Sequence, residues 1–188
     1  MSSIPKLYML LLGCTPQGRY TEQHDVFFAI GDDLKSLVPG IVQFWPEANG
    51  RIHIDAYREV TFVDGYKISV ANRDSEQSGS SNKLFFINLG GYKRGFFDEP
   101  HFKILGVHAN MGAAIKAAKQ TDFFLNVSFP GANSHVDDKF AVDVDDIYEV
   151  GDILPALQKE KYRIVVERAD SGINEDELIL GYLKLANL

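Results

Sequence analysis

The sequence is poor in several features, and each shortage removes a class of protein. Cys14 is the one cysteine among 188 residues, so no disulfide within the chain holds the fold, and the usage fits a reducing compartment. Positive charge is scarce: 19 Lys and Arg against 26 Asp and Glu leave a net charge of −7, which argues against general affinity for nucleic acid or anionic lipid. Long apolar runs are missing too. The run Leu7–Leu12, which ends on Gly13-Cys14, falls far short of the roughly 20 residues needed to span a bilayer. It is also shorter than a signal core, and its pattern recurs at Leu84–Leu89, in mid-chain, where no signal peptide operates. The expectation is a cytoplasmic protein with neither a membrane nor a nucleic-acid partner. No His-Glu-x-x-His, Cys-x-x-Cys or cupin-like spacing is present, and neither of two glycine-punctuated loops, Gly13–Gly18 and Gly90–Gly95, ends in Gly-Lys-Ser/Thr. Those glycines read as turn residues rather than as a phosphate cradle.

What the chain does have is a 45% hydrophobic composition, enough at this length to bury a core without staples, and an internal echo. A shift of 77 residues superimposes Lys6–Gln43 on Lys83–Gln120 without a gap. Identities fall at Lys6/Lys83, Leu7/Leu84, Leu12/Leu89, Gly13/Gly90, Gly18/Gly95, Glu22/Glu99, His24/His101 and Gln43/Gln120. Eight matches exceed the roughly two or three that ordinary residue usage would produce, so the segment is read as a duplication. Helical spacing repeats as well, with Leu34, Leu37, Val38 and Ile41 set against Met111, Ala114, Ile115 and Ala118, behind the N-cap residues Asp33 and Asn110. Beyond the helix a five-residue insertion would change the shift to 82, pairing His53 with His135, Asp55 with Asp137 and Tyr66 with Tyr148.

These patterns predict an α+β protein of two strand-strand-helix-strand-strand units in tandem. Residues 1–71 form the first unit, 72–82 a polar flexible linker, and 83–188 a second unit with a C-terminal extension. Pro39 is expected to kink the first helix or to start a second short turn. Tyr162–Arg168 reads as the closing strand of the second unit, and Glu177–Leu185 fits strand or helix equally.

Glu22-Gln23-His24-Asp25, His53-Ile54-Asp55-Ala56-Tyr57-Arg58-Glu59-Val60, Val63-Asp64-Gly65-Tyr66 and His135-Val136-Asp137-Asp138 carry a resemblance to a bacterial family, domain-of-unknown-function family 1543, whose members hold one or two copies. The resemblance implies a two-copy member and brings no activity with it. Glu22-Gln23-His24-Asp25 becomes Glu99-Pro100-His101-Phe102 in the second copy, so Asp25 is no shared requirement.

Chemistry is concentrated in four pairs: Glu22/His24 and His53/Asp55, with Glu99/His101 and His135/Asp137 as second-copy partners. In extended backbone, residues two apart point to one side, so each pair offers an imidazole beside a carboxylate. Such a pair serves equally as a structural hydrogen bond, as half of a divalent-metal site, or as an acid–base couple. The structural use is the parsimonious one, and a metal is therefore not favoured as a cofactor. The leading functional expectation is a non-enzymatic protein whose two copies pack in pseudo-twofold fashion and present a surface to a small-molecule or protein ligand, with a homo-oligomer possible; a third reading has duplication replace homodimerisation. The alternative is a metal-binding or acid–base enzyme, which requires the Glu-x-His and His-x-Asp pairs to converge in one partly exposed hollow. Tyr92–Phe97 only brushes an RNA-recognition pattern, and the aspartates at 137, 138, 143, 145 and 146 lack the spacing of an EF-hand. Cys14 reads as a buried spectator, and Phe44 and Trp45 as packing residues.

Overall fold

The computed structural model describes residues 4–76, 79–91, 95, 97–122, 144–169 and 175–188, with the side chains of 144 and 145 left aside. The fold is α+β, with three antiparallel sheets. It divides into two compact units, Met1–Gly79 with Ile153–Leu188, and Ser80–Asp152.

In the first unit, strand β1 (Lys6–Cys14) is central to a four-stranded sheet, flanked by β2 (Gln23–Gly31) and β3 (His53–Glu59), with β10 (Ile179–Lys184) at the far edge beyond β3. Helix α1 (Leu34–Phe44) covers one face. Its start is set by a capping box: the Asp33 carboxylate accepts from the Ser36 N–H at 2.8 Å, while the Ser36 hydroxyl reaches the Asp33 N–H. Pro39 lies inside one continuous helix, so it starts no second short turn, and it removes one backbone donor. Tyr8, Leu10, Leu12, Cys14, Phe27, Ala29, Leu37, Ile41 and Ile54 form the core beneath it. Phe44, expected to be internal, is 41% exposed, although its ring sits 5.0 Å from Phe27. A second sheet combines β4 (Phe62–Val63), β5 (Tyr66–Asn72) and β9 (Tyr162–Arg168).

The second unit has the same opening. Strands β6 (Lys83–Gly90), β7 (His101–His108) and β8 (Val144–Glu149) form a three-stranded sheet, with α2 (Met111–Ala118) beginning at the Asn110 cap. Its core is Phe85, Ile87, Leu89, Ala114 and Ala118, joined by Ile104. Each of these lies 77 positions after a core residue of the first unit: Tyr8, Leu10, Leu12, Leu37, Ile41 and Phe27.

The strand register repeats too. Lys6 pairs with Gly31 and Gly13 with His24, while Lys83 pairs with His108 and Gly90 with His101. Gly18 and Gly95, also 77 apart, both take positive φ (81° and 84°), the left-handed turn conformation that favours glycine. On the other side of the central strand, a bulge in β3 falls between the pairs Leu11↔Ala56 and Leu12↔Ile54, and one in β8 between Asn88↔Asp146 and Leu89↔Val144. Asp55 and Asp145 are the extra residues. Lys6 bonds Glu59 at 2.9 Å, and Lys83 bonds Glu149 at 2.6 Å.

That register corrects the second half of the sequence alignment. It sets Asp55 against Asp145, Glu59 against Glu149 and Val60 against Val150, a shift of 90 rather than 82. The insertion is therefore thirteen residues (90 − 77), not five, and Tyr148 occupies the place of Arg58, not of Tyr66. Hydrogen-bonded pairing outweighs chance identities in a long insertion. His135 and Asp137 lie outside the described residues.

The C-terminal boundary differs from the expectation as well. Tyr162–Arg168 pairs along its whole length with β5, and β10 with β3, so Ile153–Leu188 packs with the first unit. Between β8 and β9, Pro155 separates α3 (Val150–Ile153) from α4 (Ala156–Lys161). From α4, the Gln158 amide both donates to the Ile30 carbonyl and accepts from the Ile30 N–H, each at 2.7 Å, which satisfies the outer edge of β2. Arg73, in the stretch read as linker, donates its backbone N–H to the Lys161 carbonyl at 2.8 Å. Among the described residues, no helix is long and apolar enough to cross a membrane.

Candidate functional site

The face of the first sheet opposite α1 carries the chemistry. Gly13, at the end of the central strand, pairs with His24 on β2 and with His53 on β3. Cross-strand partners project to one face, so the two imidazoles rise on either side of a residue that has no side chain. Glu22 lies two residues before His24, and Asp55 two residues after His53. A Cβ on Gly13 would fall inside contact distance of Asp55 Oδ2 and His53 Nε2, so glycine is the residue that leaves room for the group.

All four first-copy candidates come together. His53 Nε2 lies 3.0 Å from Glu22 Oε1 and 3.2 Å from Asp55 Oδ1. His24 Nε2 lies 3.2 Å from Asp55 Oδ2 and 3.6 Å from Glu22 Oε2. Each carboxylate thus faces both imidazoles, one oxygen to each. Glu22, His53 and Asp55 form the tight core, each with a ligand atom within 4.8 Å of the other two, and His24 flanks them. The His53 side chain is 8% exposed, whereas Glu22 and His24 are 43% and 40% exposed, so the group is rooted in the protein and opens to solvent on one side.

Close approach here does not mean hydrogen bonding. His53 Nε2 and Asp55 Oδ2 are buried and neither has a hydrogen-bond partner, despite neighbours at 3.0–3.2 Å. The separations are within hydrogen-bond reach, so it is the direction of the contacts and not their length that fails. Orphaning a buried polar atom costs about 1–3 kcal/mol, so atoms left this way call for an explanation. Ligands bound at about 2.1 Å and at right angles round a metal lie about 3 Å apart, which is the spacing seen. The structural reading favoured by the sequence, in which each carboxylate simply orients its own histidine, does not account for these two atoms.

In the second unit, His101 is exposed beside Gly90, as the shared register requires, and Glu99 precedes it, half-buried. The residue that a shift of 90 sets against His53 is Asp143, an aspartate rather than a histidine, and it lies outside the described residues. Sequence reasoning missed Gly13 as the floor of the site. The signal was present, because glycine holds that position in both copies.

A cavity of about 660 Å³ lies elsewhere in the first unit, lined by Pro16, Gln17, Arg19, Gln23, Asp25, Phe44, Trp45 and Glu47 beside the C-terminal end of α1. None of the four clustered residues lines it. Cys14 points to the α1 face, fully buried, and burial pushes its thiol above the usual range, with the Glu22 charge adding to the rise and Arg51 opposing it.

Comparison with known proteins agrees with this architecture. The crystal structure of a protein Il1583 from Idiomarina loihiensis has the same fold, with a TM-score of 0.61 over 96% of this chain and 97% of that one, at 18% identity. No curated protein matches the sequence. Residues 19–70, the segment that carries Glu22, His24, His53 and Asp55, match the family described as Domain of Unknown Function (DUF1543), the family the sequence resembles.

Proposed function

We propose that the first unit is a divalent-metal-binding domain, with Glu22, His53 and Asp55 as ligands and His24 completing the set on the solvent side. One observation carries the reading: two buried ligand atoms, His53 Nε2 and Asp55 Oδ2, have no hydrogen-bond partner although they sit within a cluster of metal-ligand side chains. Two imidazoles with two carboxylates form a borderline donor set, suited to Mn, Fe, Co, Ni or Zn rather than to Ca or Mg. The exposed edges of Glu22 and His24 leave a side from which an external ligand can approach.

The wider reading is a cytoplasmic protein built by internal duplication. The repeated register, bulge, ion pair and core positions support the duplication. The single buried cysteine supports the reducing compartment. Replacement of His53 by Asp143, with Glu99, His101 and Asp145 kept at the other three positions, leaves the second copy one imidazole short, so the two units differ in their donor sets.

The test is elemental analysis of the purified full chain, together with thermal unfolding under chelator and under added Mn, Fe, Co, Ni and Zn. Substoichiometric or full occupancy that disappears in His53→Ala supports the reading. A metal-free protein whose melting temperature ignores every ion and the chelator ends it.

A further inference from the structure

Resting on the metal reading above, the geometry points to Tyr182 as the residue that positions His53, which makes the C-terminal edge strand part of the site. The Tyr182 ring lies over the His53 imidazole, with centroids 4.2 Å apart and planes tilted by 33°. Tyr182 is itself 63% exposed, yet the side chain beneath it is one of the most enclosed polar groups in the unit. An exposed aromatic on an edge strand gains little from burial. Its position makes sense as a cover.

The strand is shaped to place it there. β10 pairs with β3 through Ile179↔Tyr57 and Leu180↔Ala56, then again through Leu183↔Ile54 and Lys184↔His53. Between these pairs, Gly181 and Tyr182 stand opposite the single residue Asp55. The irregularity is taken up at Gly181, with φ of 142°, a conformation that L side chains rarely adopt. Leu183 faces the α1 core together with Ile54, so its neighbour Tyr182 projects to the opposite face, where His53 stands. The bulge that re-aims Asp55 and the irregularity that aims Tyr182 therefore meet at one point.

Without the ring, the imidazole could rotate about its side-chain torsions and water would reach it. With the ring, the imidazole plane is held and Nε2 stays beside the two carboxylates. Outer residues that orient a ligating histidine are typically worth 10–100-fold in metal affinity. The stack uses the ring face and not the hydroxyl, so phenylalanine should serve and alanine should not.

The experiment compares the wild-type chain with Tyr182→Ala and Tyr182→Phe, reading Co²⁺ affinity by chelator competition, the visible Co²⁺ spectrum, and the His53 ring-proton shifts of metal-free protein by NMR. The expected result is about tenfold weaker Co²⁺ binding and an altered spectrum for Tyr182→Ala, with both restored in Tyr182→Phe. In the metal-free state, the His53 ring protons should lose their ring-current shift in Tyr182→Ala and keep it in Tyr182→Phe. Wild-type affinity and unchanged His53 shifts in Tyr182→Ala would overturn the assignment, as would a Tyr182→Phe variant that behaves like alanine. Wild-type protein that takes up no Co²⁺ would remove the metal reading. The NMR comparison alone would then decide whether Tyr182 positions His53.

Discussion

Gly13→Ala is the sharpest perturbation this architecture offers, because it adds one methyl group and replaces no ligand. The backbone at residue 13 lies in an ordinary strand region, so alanine is conformationally welcome there. The obstacle is space: the new Cβ would lie well inside contact distance of Asp55 Oδ2 and His53 Nε2, two of the proposed ligand atoms. Ordinary contact begins near 3.4 Å, so both side chains must retreat by about 1 Å or the strand must shift. Metal–ligand distances tolerate only about 0.2 Å. A 1 Å misplacement of a positioned group is felt on the order of a hundredfold, and that is the expected loss of affinity for Zn²⁺ or Co²⁺. Overpacking should cost the metal-free fold about 1–3 kcal/mol, leaving the variant folded at room temperature. Calorimetric titration gives the affinity, and circular dichroism with urea unfolding gives the fold. Wild-type affinity in a folded Gly13→Ala protein would show that the space above residue 13 is not where the ion sits.

Other outcomes follow from the same geometry. Protons compete for the lone pairs of His24 and His53, so metal occupancy should fall as pH is lowered, and a pH titration of bound Co²⁺ absorbance checks the direction. Leu12→Ala removes a fully buried side chain from the α1 core, on the sheet face opposite the proposed ligands, and should cost about 2–5 kcal/mol in urea unfolding. The Cys14 thiol, held above its usual range by burial, should react with a thiol reagent far more slowly in native than in unfolded protein. Fast native labelling would show that the α1 face opens readily.

Much of the local design is legible in the sequence because it is local. The caps at Asp33 and Asn110, the apolar runs of β1 and β6 and the 77-residue shift rest on neighbours within one element or on ungapped repetition. The same holds for Glu22 beside His24 and His53 beside Asp55, since a period of two places each pair on one face without any knowledge of the sheet. Phe44 and the second turn considered at Pro39 show the limit even here. How exposed a helix end is, and whether one lost hydrogen bond ends a helix, depend on what packs around it.

Tertiary structure decided what links residues far apart in the chain. His24 and His53 flank Gly13 because β1 lies between β2 and β3, a pairing whose register is set by the whole buried face rather than by the residues of the site. The true length of the insertion that makes the second shift 90, and the return of β9 and β10 to the first unit, leave no short-range mark, because hydrogen-bonding partners across a sheet carry no signature in the spacing of either strand. Residue spacing alone dictates which side chains can share a face. The non-local pairing of strands brought two such faces together around a glycine and left His53 Nε2 buried without a hydrogen-bond partner.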